Sequence, residues 1–216
     1  MEFPPEAGPD IIRLIGLDPG TDTLGAAVMD VNMDTYEPTI VFGETHHASK
    51  AAKDITWKQE IRGGRDVRLE MHRRYLSELF DYTAPAAVAA ESPFLKFGRV
   101  TSFEALVECY AVLRDTLWDY SPSMYLRRID PITAKNYVGV SHIGTDKDDV
   151  RKAVIALYKD KCAEGVDIMS FDEHTIDAIA VTHCLLQKYL LNVEIASSKK
   201  KKKRGGRRRR KKGKKG

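Results

Sequence analysis

A short apolar run, Ile11 to Leu17, is cut off by Asp18-Pro19-Gly20 and resumes as Leu24 to Val31. Proline has no backbone N–H to give a sheet and glycine tolerates the φ values of tight turns, so this pattern predicts two strands joined by a turn. Thr39 to Phe42 adds a third strand after Glu37-Pro38, and together they predict a meander. From Arg65 to Tyr82 the apolar period lengthens to four, with Val67, Met71, Tyr75 and Leu79 on one face, which predicts an amphipathic helix. Ala86 to Ala90 lies between two helical stretches, ends in Glu91-Ser92-Pro93 and reads as a buried strand. Thr101 to Tyr120 is helical, its stripe formed by Phe103, Leu106, Val107, Tyr110, Leu113 and Leu117. Met124 to Ile129 is a strand closed by Asp130-Pro131, followed by a short helix holding Ile132 and Tyr137. A helix from Asp146, its N-cap, to Lys161 and a closing helix from Glu173 to Leu191 complete the pattern. A meander followed by alternating helices and strands predicts an α/β fold, a mixed sheet covered by helices.

The 216 residues suffice for one such domain and a tail. The expected division is an N-terminal extension over 1–10, a folded domain over 11–191 and a tail over 192–216. The net charge of +4 conceals a partition: Lys199 to Gly216 holds nine lysines, five arginines and no acid, leaving 21 of the 35 basic residues against all 31 acidic ones. Met1 to Ser198 is therefore formally −10. A run of lysine, arginine and glycine has no apolar area to offset ordering entropy, so the tail is expected to be disordered when free. It is expected to contact nucleic-acid phosphates through Lys199, Lys200, Arg204, Arg207, Arg208, Arg209 and Arg210. A nuclear-localisation signal or a solubility tail is the other reading.

Cys109, Cys162 and Cys184 have no CxxC spacing, which argues against a disulfide framework and a zinc knuckle and fits a reducing compartment. No apolar run approaches the ~20 residues of a membrane span, and the start, Met1 to Asp10, has three prolines and three acids, unlike a signal peptide. The expectation is a cytoplasmic protein, bacterial or in a phage-infected host, with no membrane partner and no small-molecule cofactor. The basic tail leaves the nucleus open.

Asp18 ends a strand at a Pro-Gly turn, which places its carboxylate at the rim of the sheet, and Glu91 ends the later strand in the same way. If those strands are parallel neighbours, both carboxylates meet at one sheet end, where ligand sites form in open α/β sheets. His174 and Asp177, three apart on a helix, share a face. Such a cluster suits one or two hard divalent cations, and two ions ~4 Å apart serve the in-line hydrolysis of a phosphodiester. Taken singly, each residue also has a structural reading: Asp18 as a turn residue, Asp177 as a helix-surface acid, Phe94 as core packing, Lys135 and Lys147 as solvated lysines. His46 and His47, adjacent on a strand, point to opposite faces and read as surface residues.

LIGLDPGTDTLGAAVMD (Leu14 to Asp30), ESPF (Glu91 to Phe94) and HTIDAIAVTH (His174 to His183) resemble, in order and approximate spacing, the three acidic motifs of the RuvC-type Holliday-junction resolvases. That family belongs to the ribonuclease H-like superfamily, and the resemblance covers about residues 11 to 190. It implies a ribonuclease H-like fold, a three-strand meander followed by parallel strands with helices on both faces of the sheet, and a homodimeric endonuclease acting on four-way or branched DNA. Mg²⁺ or Mn²⁺, two ions per site, is the implied cofactor. The likeness assigns Asp18, Glu91, Asp177 and, at the family's fourth position, His174 as catalytic metal-binding residues, and Phe94 as an aromatic that stacks on a base at the junction. Asp130-Pro131-Ile132-Thr133-Ala134-Lys135 and Gly144-Thr145-Asp146-Lys147 resemble the segment that brings two lysines, here Lys135 and Lys147, near the scissile phosphate, with spacing one residue longer. Thr101 to Tyr120, whose stripe includes Tyr110 and Trp118, is expected to form part of the dimer interface, with core packing an equal alternative. Asn32 to Glu44, Thr45 to Arg65 and the tail depart from the common bacterial pattern and suggest a phage or viral branch. Two alternatives stay open: a related nuclease acting on other branched or flapped DNA, and a non-cleaving junction-binding protein. An actin-like ATPase shares the Asp-Pro-Gly-Thr hairpin, but it needs a second similar half that nothing after Glu91 supplies.

Overall fold

The Asp18-Pro19-Gly20 turn joins strand β1 (Ile11–Pro19) to the antiparallel β2 (Thr23–Asn32), and the pairing sets Asp18 opposite Gly25. A computed structural model describes residues 3–4, 7–95, 100–141 and 147–212, with side chains described for all of these except 147 and 194–212. β3 (Pro38–His47) pairs antiparallel with β2, while β4 (Ala87–Glu91) and β5 (Arg127–Ile129) add in parallel beyond β1, giving the order β3-β2-β1-β4-β5. The helices in chain order are α1 (Ala48–Ala51), α2 (Thr56–Arg62), α3 (Gly64–Thr83), α4 (Val100–Tyr120), α5 (Pro131–Tyr137), α6 (Lys147–Tyr158) and α7 (Glu173–Lys212).

β1 and β2 are buried along most of their length because both faces of the sheet are covered, which is why they read as apolar runs with little alternation. On one face Ile15, Leu17, Val28 and Val88 pack with Leu76 and Phe80 of α3 and with Leu113 and Leu117 of α4. On the other lies α7. A Cβ added at Gly16 would sit 2.3 Å from the Ala178 carbonyl oxygen, and one at Gly25 would sit 2.2 Å from that of His174. Two side-chain-free positions thus let α7 rest directly on the strands. Tyr158 of α6 joins that layer through a 2.6 Å hydrogen bond between its hydroxyl and His183 Nδ1.

The backbone divides into two units, Met1–Leu185 and Leu186–Gly216. α7 continues as helix through Lys212. Lysine and arginine are good helix formers, extending an existing helix needs no new nucleus, and cations near a helix C-terminus complement its dipole. In the extension, Phe3 stacks on Tyr82 at 5.1 Å and meets Phe42 at 5.6 Å. In α4, Tyr110 is buried in the core with Arg128 over its ring, so it is not a surface residue, whereas Val107 and Trp118 are exposed. Exposure of Val107 shows that the apolar stripe is narrower than its hydrophobic residues suggest. The expected N-cap Asp146 lies outside the described residues. Cys109, Cys162 and Cys184 are all free, and no helix among the described residues is long and apolar enough to cross a membrane.

Candidate active site

β1 and β4 are parallel neighbours with Leu17 paired to Ala90, so Asp18 and Glu91 stand side by side at the carboxyl ends of the two strands. Alternation along a strand puts Asp18 on the same face as Gly16, which is the face that α7 covers. The close packing at Gly16 and Gly25 then brings the first turn of α7 to the strand ends. His174 Nδ1 lies 2.8 Å from Asp18 Oδ2, and its Nε2 lies 3.1 Å from Thr23 Oγ1. Asp177, one turn further along, faces Glu91 closely enough to act on its ionisation.

A second wall of the cleft comes from α5. Its N-cap Asp130 accepts from the backbone N–H groups of Ile132 and Thr133, and Pro131 occupies the first turn, where no N–H is needed. This short helix delivers Lys135 into a cleft shared with Glu91, Asp177 and Phe94. Phe94 is 47% exposed at the lip of the cleft. Asp18, Glu91, His174, Asp177, Lys135 and Phe94 are thus brought together. Lys147 begins α6, but its side chain lies outside the described residues, as do those of Lys199, Lys200, Arg204, Arg207, Arg208, Arg209 and Arg210.

Electrostatics mark this cluster as short of positive charge. Burial, then the carboxylates of Asp18 and Asp177, push the Glu91 carboxyl up to about 8, with Lys135 pulling only weakly the other way. The hydrogen bond from His174 to Asp18 raises the imidazole above its ordinary value, against the opposing effect of burial. Among the described residues, no group of three or more His, Cys, Asp or Glu side chains is arranged to hold a metal ion as it stands. The donor chemistry nevertheless fits a hard divalent cation: three carboxylates share one cleft, and one is driven to keep its proton for want of a counter-charge. Ion binding requires these side chains to turn toward one another and Glu91 to lose that proton.

This has a measurable consequence for stability. Between the ordinary carboxyl value of 4.5 and about 8, folded Glu91 holds a proton that the unfolded chain has released. Without divalent ions, stability should therefore fall as pH rises through that window, by up to about 1.4 kcal/mol per pH unit. Urea titrations at pH 5 to 8 should show this slope in wild type and its absence in Glu91→Gln, with Mg²⁺ restoring wild type at pH 8. Equal pH profiles for the two proteins would refute the assignment.

Other parts of the site had no signal in the sequence. The turn after Asp18 is clamped from three sides. Arg68 Nε donates to the Thr21 carbonyl at 3.3 Å, Cys109 Sγ donates to the Gly20 carbonyl at 3.4 Å, and Asp22 accepts from the Ser49 N–H at 2.9 Å. His46, expected at the surface, instead stacks on Tyr75 at 4.5 Å and meets His72 edge-on at 5.3 Å. Alternation was the right guide, and the face it puts His46 on is one that α3 covers. Burial lowers His72 to about 4, so this layer behind the turn stays uncharged at neutral pH.

No family model and no curated protein sequence matches the chain. Solved structures do. Thermus thermophilus RuvC in complex with Holliday junction substrate superposes with a TM-score of 0.59 at 16% identity, covering 83% of this chain and 96% of RuvC. A second structure of the same RuvC gives 0.59 at 18% identity with the same coverage. The yeast mitochondrial Holliday junction resolvase Ydc2 gives 0.59 at 12% identity, over 81% of this chain and 78% of its own. At such identities the shared property is the fold, and with three antiparallel strands followed by two parallel ones under helices, the chain has the ribonuclease H-like fold of the RuvC-type resolvases.

Proposed function

We propose that this chain is a divalent-metal-dependent endodeoxyribonuclease that nicks opposed strands of four-way DNA junctions. The supporting observation is the meeting of Asp18, Glu91, His174 and Asp177 at the carboxyl end of a RuvC-type sheet. Mg²⁺ or Mn²⁺ bound there would supply Lewis-acid stabilisation of the phosphoryl charge and a more acidic water. Asp18, Glu91 and Asp177 are the groups that would hold the ions, two of them in the arrangement such chemistry uses.

The chain's own residues do the positioning. His174 fixes the Asp18 carboxylate from one side while Thr23 holds the other ring nitrogen, so the imidazole orients a ligand without having to transfer a proton. Lys135 offers a charged donor to a non-bridging phosphate oxygen, and Lys147 is assigned the same task. The exposed face of Phe94 suits stacking on an unpaired base, worth ~1 to 3 kcal/mol. Two incisions related by a twofold axis need two identical sites, which is the argument for a homodimer. The basic stretch from Lys199 adds affinity that does not depend on sequence.

The test is to incubate the full-length protein with labelled four-way, three-way, flap and RNA-containing duplexes in Mg²⁺ or Mn²⁺ and to map the cuts. Symmetric paired nicks confined to the four-way substrate are expected. Preferential flap cutting would move the protein to a related nuclease, and tight junction binding without incision would make it a binding protein. A deletion of Lys199 to Gly216 run alongside should flatten the salt dependence of binding by about six units of log–log slope, at ~0.9 per lost contact, with junction preference kept.

A further inference from the structure

The stretch that fills the gap between β3 and α3 has a charge opposite to that of its surroundings. Residues 48–74 contain eight lysines or arginines against four acids, in a body, Met1 to Ser198, that is formally −10. Within it Lys58, Arg62 and Arg74 all converge on the single carboxylate of Glu70, at 2.8, 2.8 and 2.5 Å. One anion cannot neutralise three cations, so the cluster keeps a net positive charge. Lys50 and Lys53 are exposed and form no ion pair among the described residues. Beside these cations, Trp57 is 57% exposed and Ile61, four residues on and hence on the same face of α2, is 76% exposed. Lys58 Nζ stands 5.7 Å from the centre of the Trp57 ring.

Position ties this patch to the acidic cleft. The Ala48 N–H donates to the Asp22 carbonyl at 2.8 Å, so the segment starts on the very turn that carries Asp18. Ala48 and Ala52 pack on Val67 and Met71 of α3, which fixes the segment to the folded body. Eight residues, largely helical at about 1.5 Å each, separate Ser49 from Trp57, so the patch lies well within one ~34 Å turn of duplex from the turn at Asp18. Two exposed apolar side chains on a seven-residue helix are too little for a membrane anchor. Cations interleaved with an aromatic are the composition that phosphates and sugars demand.

We propose that the segment from Lys50 to Arg62 is a second DNA contact, gripping the backbone of a duplex arm that leaves the cleft, with Lys50, Lys53, Lys58 and Arg62 on phosphates and Trp57 against the adjoining sugars. This rests on the nuclease reading and adds to it a clamp separate from both the cleft and the basic tail. It lies within Thr45 to Arg65, one of the stretches that depart from the common bacterial pattern.

The test uses full-length protein and a four-way junction in Ca²⁺, with fluorescence anisotropy at several salt concentrations. Lys50→Ala/Lys53→Ala should weaken binding about tenfold and lower the slope of log affinity against log salt by about 1.8, at ~0.9 per contact. Neither lysine forms an ion pair among the described residues, so the fold has no reason to suffer, and a thermal melt checks this. Independently, junction DNA should change the tryptophan fluorescence of wild type, and Trp57→Phe should remove most of that change. Wild-type slope in the double variant together with an unchanged response in Trp57→Phe overturns the proposal. So does a Trp57 response to phosphatidylserine vesicles with none to DNA. The two readings fail separately. A wild type that cuts while these variants bind normally sinks only the clamp, and a wild type that binds without cutting while the variants lose affinity sinks only the nuclease.

Discussion

Asp18→Asn should lower junction incision on the order of 10³-fold, about 4 kcal/mol of barrier, while junction affinity in Ca²⁺ stays within about threefold of wild type. The substitution is nearly isosteric, and the amide oxygen can still accept a hydrogen bond from His174 Nδ1, now 2.8 Å from the carboxylate. The turn clamped by Arg68, Cys109 and Ser49 should therefore survive. What is lost is one of three negative charges at the place where an ion must be held. The same loss relieves Glu91, whose carboxyl is pushed up to about 8 partly by the Asp18 charge. The variant should consequently melt no lower than wild type in EDTA. Incision at the wild-type rate, measured in single turnover with Mg²⁺, would remove Asp18 from the chemistry, and a collapsed melting curve would assign it a structural role instead.

The second large effect concerns a residue with no chemistry. Gly16→Ala should cost about 3 kcal/mol of stability, the upper end of ordinary overpacking penalties. Its new methyl would lie 2.2 Å from Thr182 Oγ1, 2.3 Å from the Ala178 carbonyl oxygen and 2.7 Å from the Thr182 backbone nitrogen. Two of those three neighbours are helix backbone, so no rotamer change relieves the clash and α7 itself must shift. Because α7 also carries His174 and Asp177, the folded fraction should incise poorly as well. Urea unfolding at constant m-value measures the first effect and single-turnover incision the second. Adding Thr182→Ala should restore only part of the stability, since the contact with the Ala178 carbonyl remains. An unaltered midpoint in Gly16→Ala would contradict the close approach of strand and helix.

Those two positions show how unevenly the site was legible. Asp18 alone reads equally as a turn residue, and it becomes legible because Glu91 repeats its place at a strand end before Ser-Pro. Spacing likewise put His174 and Asp177 on one helical face. Gly16 sends no such signal, since a glycine within a strand reads as a weakness until the helix lying on it is known. Thr23, which holds the far side of the His174 ring, looks like any strand threonine. His46 was misread as a surface residue because alternation names two faces but not which is covered, and α3 covers the one it occupies. Composition measures what a segment can bury and is silent on a helix already nucleated upstream, which is how α7 runs on to Lys212.

The amino-acid order by itself determined the five strands, the longer helices and the list of acids at strand ends, since these follow from local periodicity and turn chemistry, whereas α1, α2 and the parallel pairing of β4 with β1 came from the tertiary structure. Tertiary structure alone decided that α7 could approach the sheet closely enough to join His174 to Asp18, and that Glu91 would be buried among like charges. It also decided that a basic, tryptophan-bearing segment would be tied to the turn at Asp18. The reason is physical: hydrogen bonds along a chain are set by neighbours in sequence, whereas clearance, burial and charge crowding depend on residues more than a hundred positions apart.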